Sequence, residues 1–126
     1  MDERSREVLL EATRTIPAAI AAAHRMECEV SFHGGYKVLT TDPVETEKAI
    51  EAMTEAGLKV GVFDKPHMGS EDFSFYGDKA PLVYINLGNG LASSALHSPE
   101  FAFSEDVAEH GIKAMAAIAL NRLMRS

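Results

Sequence analysis

Two short stretches carry residue types that could do chemistry, and both fall where regular structure should begin or end. The first is Leu96-His97-Ser98-Pro99-Glu100-Phe101. The Pro99 ring fixes its own φ and drives Ser98 out of helical geometry, so His97 is expected on an irregular turn, its imidazole presented from a loop. Neutral imidazole suits a borderline metal ion such as zinc. The second stretch is Met68-Gly69-Ser70-Glu71-Asp72-Phe73. Here the Ser70 hydroxyl is placed to accept backbone N–H groups at a helix start, with Glu71 and Asp72 facing the positive end of the helix dipole. Each stretch has a plainer reading beside the chemical one. A lone histidine serves structure more often than catalysis, and two acids at a helix start are ordinarily caps.

Other candidates fall away on local grounds. His67 and Glu71 are four residues apart, but Met68-Gly69 between them argues against the continuous helix that a metal pair would need. Cys28 falls on the apolar side of an alternating run and reads as a small core residue. His33, His24 and His110 fall in an expected turn and on expected helix surfaces. The chain contains no glycine-rich phosphate loop, serine elbow or cysteine-rich zinc knuckle.

The elements that must position these stretches follow from periodicity. Val8, Leu9, Ala12, Ile16, Ala19, Ile20 and Ala23 recur at helical spacing, with Pro17 expected to kink or restart the helix. Asp42-Pro43-Val44-Glu45 is the sharpest local signal. A capping aspartate, a proline at the first helical position and a glutamate reaching back start a helix that Gly57 should stop. Glu27 to Phe32 alternates and reads as a strand, as does Leu58 to Phe63, while the apolar run Pro81 to Leu87 reads as a buried central strand. Gly34-Gly35 fits a hairpin into Tyr36 to Leu39. Ser104 should start a last helix that buries Val107, Ala108, Ile112, Met115, Ile118, Ala119 and Leu123. The fold class expected is therefore α/β, with helices packed on a small mixed sheet.

Composition sets the outer bounds. A chain of 126 residues that is 46% apolar can bury one modest core. A net charge of −7 disfavours nucleic acid and anionic membranes as partners, because both call for clustered positive charge. A single cysteine excludes an internal disulfide and suits a reducing compartment. With no long apolar span and an Asp2-Glu3-Arg4 start, a cytoplasmic location is expected.

The order of motifs adds a resemblance. Met68-Gly69-Ser70-Glu71-Asp72-Phe73, an apolar run ending in Leu87-Gly88-Asn89-Gly90, then Leu96 to Phe101 and a long terminal helix resemble the M20 metallopeptidase and amidohydrolase family, most of all its branch that cleaves N-acyl amino acids. The resemblance covers nearly the whole chain but only the last part of such an enzyme. It implies that residues 1–41 correspond to the second half of a lid or dimerisation domain, and residues 42–126 to the carboxyl-terminal segment of the catalytic domain. There the chain would run on from the lid strand and cross back, so hairpin and crossover at Gly34-Gly35 stand level. The resemblance makes His97 a metal-ligand position for zinc or manganese, and Gly69 and Ser70 part of the substrate-side loop. The substrate would be a small amide or peptide. The family's histidine-x-aspartate motif, bridging aspartate and paired glutamates belong to an earlier part, so this chain is expected to be inactive alone. Its expected partner is a complementing amino-terminal half or a second copy in a homo-oligomer. The rival expectation is a non-catalytic dimerisation or complementation module derived from the family.

Overall fold

The structure is a computed structural model, and it describes residues 2–124. Three α-helices, α1 (Glu3–Ala23), α2 (Pro43–Glu55) and α3 (Ala108–Met124), are joined by irregular segments holding two 3-10 helices, Asp72–Asp78 and Glu105–Val107. The chain divides into two compact units. One comprises Met1–Thr40 with Phe63–Ala80, the other Thr41–Val62 with Pro81–Ser126.

In the first unit, Asp2 caps α1 by accepting the Ser5 N–H at 2.7 Å, and Glu3 stands in the first turn. The helix continues through Pro17, so it does not restart there. It ends in a Schellman motif: the Met26 N–H donates to Ala21 O and the Arg25 N–H to Ala22 O, with Arg25 at a φ of +58°. No residue of α1 is buried, and Val8, Leu9, Ile16 and Ile20 are all more than half exposed. The segment after it is tied to the unit by polar contacts. Val38 N–H donates to the Glu3 carboxylate at 3.0 Å, Lys37 pairs with Asp78, and the Arg14 guanidinium lies 5.0 Å from the centre of the Phe32 ring.

In the second unit, α2 begins at Asp42 and Pro43 as expected, but Glu45 does not reach back to the cap: the Asp42 N–H donates to Leu82 O at 2.8 Å, and the Glu45 carboxylate pairs with Lys48 and Arg122. The Asp42 carboxylate accepts the Glu45 N–H at 2.9 Å, and Pro43 occupies the first turn, where its missing N–H is not needed. Gly57, at a φ of +77°, closes a second Schellman motif in which Leu58 N–H donates to Met53 O. Helices α2 and α3 pack on each other through Ala49, Met53 and Ala114, with Leu58, Val60, Val83 and Ile118 against them. Alanines at this seam let the helices come close, and the Arg122 guanidinium clamps both oxygens of Glu45 at 3.1 Å.

Two expectations are corrected here. The described residues contain no strand, so the expected α/β class with a small mixed sheet is replaced by an all-helical arrangement. Alternation and apolar runs report only that a segment would suit a pleated, half-buried surface; a strand also needs a partner edge to complete its ladder. None of Glu27 to Phe32, Tyr36 to Leu39, Leu58 to Phe63 or Pro81 to Leu87 has one. Cys28, expected to be buried in such a strand, is exposed. The second correction concerns α3. Its inward side is Ala114 and Ile118, while Ile112, Met115 and Leu123 are 71%, 68% and 76% exposed. The helix is apolar on more than one side, and its sequence does not single out the side that meets α2.

Candidate functional site

His97 sits on a chain of three consecutive turns in the second unit. The Ser93 N–H donates to Gly90 O, Ser98 N–H to Ala95 O at 3.0 Å, and Phe101 N–H to Ser98 O at 3.0 Å. In the middle turn His97 has a φ of +69° while Leu96 does not leave the negative region, which is the type II arrangement. Glycine is the usual occupant of that position. In the third turn Pro99 stands second, where its fixed φ is favourable. His97 therefore rides on a turn as expected, but Pro99 stiffens the turn that follows rather than the one that holds His97, and the imidazole belongs to an exposed residue.

Glu100 is fastened beside it. The Ser98 hydroxyl donates to the Glu100 carboxylate, and the Glu100 N–H donates back to Ser98 Oγ at 3.2 Å. That hydroxyl, followed by the backbone contact, holds the Glu100 carboxyl below its ordinary range. The turns border an open hollow of about 410 Å³ whose lining includes Asn89, Ser93, Glu100 and Ser104.

Asn89 is the residue that sequence reasoning missed. In the sequence it stands only at the end of an apolar run, in Leu87-Gly88-Asn89-Gly90, yet its whole side-chain amide is engaged on this loop. Its Nδ2 donates to Ser93 Oγ at 2.8 Å and to Ala102 O at 2.7 Å, and its Oδ1 accepts the Ser104 N–H at 2.7 Å. The only available signal was an asparagine between two glycines.

Gly69 and Ser70 belong to the first unit, where both are exposed. The residue capping the following 3-10 helix is Glu71 rather than Ser70, its carboxylate accepting the Phe73 N–H at 3.3 Å. Asp72 lies in the first turn, as helix-dipole complementarity requires. His67 packs against Phe63 with ring centres 4.2 Å apart and the planes tilted by 49°, which gives it a packing role.

Among the described residues no three His, Cys, Asp or Glu side chains converge as a metal site. A closed metal shell needs four donors, and a catalytic one three protein donors with an open position. One imidazole does not fit a complete site.

Comparison with known proteins gives these features a family. Residues 5–121 match the model of peptidase family M20/M25/M40. The chain is 33% identical to an uncharacterised hydrolase, y4tI, of Sinorhizobium fredii over 81% of its own length and 26% of that protein's. It is 29% identical to thermostable carboxypeptidase 2 of Saccharolobus solfataricus, over 95% of its length and 31% of that protein's. It is 23% identical to the putative amidohydrolase YhaA of Bacillus subtilis, over 94% and 31% respectively. The chain thus spans about a quarter to a third of the length of the curated relatives it matches. No solved structure matches it. No helix among the described residues is long and apolar enough to cross a membrane. Members of the matched family are metal-dependent hydrolases acting on peptides and amides. With 117 of its 126 residues inside the family match, from 5 to 121, this chain belongs to peptidase family M20/M25/M40.

Proposed function

We propose that this chain supplies the carboxyl-terminal segment of a metal-dependent amide hydrolase, that His97 is the one metal donor it contributes, and that it is inactive by itself. The observation carrying this reading is the backbone of His97. A non-glycine residue at φ +69° is held against its own preference, and it persists only where surrounding structure imposes it. The imposed conformation sits on an exposed histidine within a family of metal-dependent hydrolases, at the position where the motif order expects a ligand.

In this reading residues 1–41 derive from the second half of a lid or dimerisation domain and residues 42–126 from the end of the catalytic domain. Gly69 and Ser70 line the substrate side. The metal is zinc or manganese, and the substrate an N-acyl amino acid or small peptide. The compartment is the cytoplasm. The described residues do not by themselves form a metal site. The chain incubated with zinc, cobalt or manganese should give no hydrolysis of an N-acyl amino acid above background. Turnover by a homogeneous preparation, abolished by His97→Ala, would refute the claim of inactivity.

A second reading is favoured by the exposed apolar sides of α1 and α3, where Val8, Ile16, Ile20, Ile112, Met115 and Leu123 are each more than half exposed. Apolar surface of this extent marks an interaction face more often than a free one. On this reading the chain is a dimerisation or complementation module. Light scattering behind a sizing column tests self-association: a dimer at micromolar concentration supports it, and a monodisperse monomer with a cooperative melt removes the homo-oligomer.

A further inference from the structure

We propose that Asn89 is the positioning residue of the His97 loop, a clasp whose amide closes the segment 90–103 and imposes the left-handed backbone of His97. That His97 acts as a metal donor rests on the preceding proposal; that Asn89 sets its backbone does not.

The argument starts from bond counting. An asparagine side chain offers two N–H donors and a carbonyl acceptor. In Asn89 both donors and the acceptor are engaged, on Ser93 Oγ, Ala102 O and the Ser104 N–H. The orientation of the amide follows from the partners. Turned over, it would set its oxygen against the Ala102 carbonyl oxygen and its N–H groups against the Ser104 N–H, opposing like with like at 2.7 Å twice. The Ser93 hydroxyl, accepting one of these bonds, donates its own hydrogen bond to Ser94 O at 3.1 Å.

The partners lie on both sides of His97. Ser93 is four residues before it, and Ala102 and Ser104 are five and seven after it. One side chain therefore fixes the entrance and the exit of the three-turn segment. Short turns in series have few backbone bonds of their own, one for each turn here, and each leaves several dihedrals free. Fixing both ends at a common point removes the freedom that would let the middle turn relax to a negative φ at His97. The clasp also ties the loop to the next element, because Ser104 is the residue that caps the 3-10 helix before α3. Ser104 makes no capping bond with its own side chain; its backbone N–H is what Asn89 holds.

The test reads the loop directly in the whole chain, labelled for nuclear magnetic resonance, with no metal present. A positive φ brings a residue's amide and α protons unusually close, so unmodified protein should give a strong intraresidue amide-to-α cross-peak at His97. Asn89→Ala should weaken that cross-peak and lower the exchange protection of the Ser98 and Phe101 amides about tenfold. Asn89→Asp keeps the acceptor for Ser104 and loses both donors, so it should fall between. Ser93→Ala, which removes a single partner, should change least and guards against a failure of the alanine variant to fold. Helical circular dichroism should hold in all three variants. Full retention of the cross-peak and the protection in Asn89→Ala or Asn89→Asp would overturn the proposal. So would absence of the cross-peak from the unmodified protein. Because the readout uses neither metal nor activity, it can succeed where His97 proves to bind nothing, and fail where His97 is a ligand.

Discussion

Replacing His97 by glycine should stabilise the protein, an effect opposite to that of most substitutions. A side chain in the left-handed region costs about 1–2 kcal/mol, with histidine nearer the low end because it visits that region more readily than most residues. His97 is exposed, so truncating its side chain sacrifices little packing. Glycine removes the penalty but returns about 0.4–1 kcal/mol to the unfolded chain as conformational freedom. The balance is a gain of up to about 0.6 kcal/mol, or at most about 3 °C in Tm for a protein of this size. His97→Ala is the control, since alanine loses the imidazole but keeps a Cβ and its clash. Urea unfolding followed by circular dichroism would compare the two. A glycine variant equal to or less stable than the alanine variant would refute the claim that the turn holds His97 under strain.

Arg25 offers an independent case of the same physics: at φ +58° it occupies the helix-ending position that glycine fills after α2, so Arg25→Gly should raise stability by about 0.5–1 kcal/mol in the same urea assay. The Glu45 carboxyl is held below its ordinary range by its hydrogen bond with Lys48 and by the charges of Arg122 and Lys48. A carboxyl with a lowered folded value contributes stability above its unfolded pKa and loses it as pH falls through the folded one. Stability measured from pH 6 downward should therefore decline through about pH 4 and below, with a shallower decline in Glu45→Gln. Zinc calorimetry on the isolated chain at neutral pH should show no tight stoichiometric binding, because one imidazole leaves the coordination shell open. A tight one-to-one isotherm would mean that donors outside the described convergence take part.

What could be read from the sequence was whatever is decided within a few residues. Asp42 and Pro43 start α2 and Gly57 stops it, each by a bond or a dihedral that neighbours alone dictate. Pro99 likewise marks a turn, the one directly after the turn that carries His97. What could not be read depended on distant partners. Pro81 to Leu87 has the composition of a buried strand, but no neighbouring edge pairs with it, and composition carries no information about that edge. Ile112, Met115, Ile118 and Leu123 share the spacing of a buried stripe, yet of these four Ile118 alone packs against the core, beside Ala114, and contact with α2 decides between the sides. Asn89 was illegible for the same reason: its bonds reach to Ala102 and Ser104, and nothing local distinguishes it from any asparagine in a glycine-rich turn.

The function proposed for this chain is to complete a hydrolytic site to which it brings one donor. Its most direct test is to produce the chain together with an amino-terminal portion of thermostable carboxypeptidase 2 that lacks the region matched here, and to measure metal-dependent hydrolysis of an N-acyl amino acid. Activity should appear only with both pieces. Because losing even an outer-shell partner costs about 10–100-fold, His97→Ala should cost at least about a hundredfold. No reconstituted hydrolysis, or hydrolysis unchanged by His97→Ala, would contradict the account.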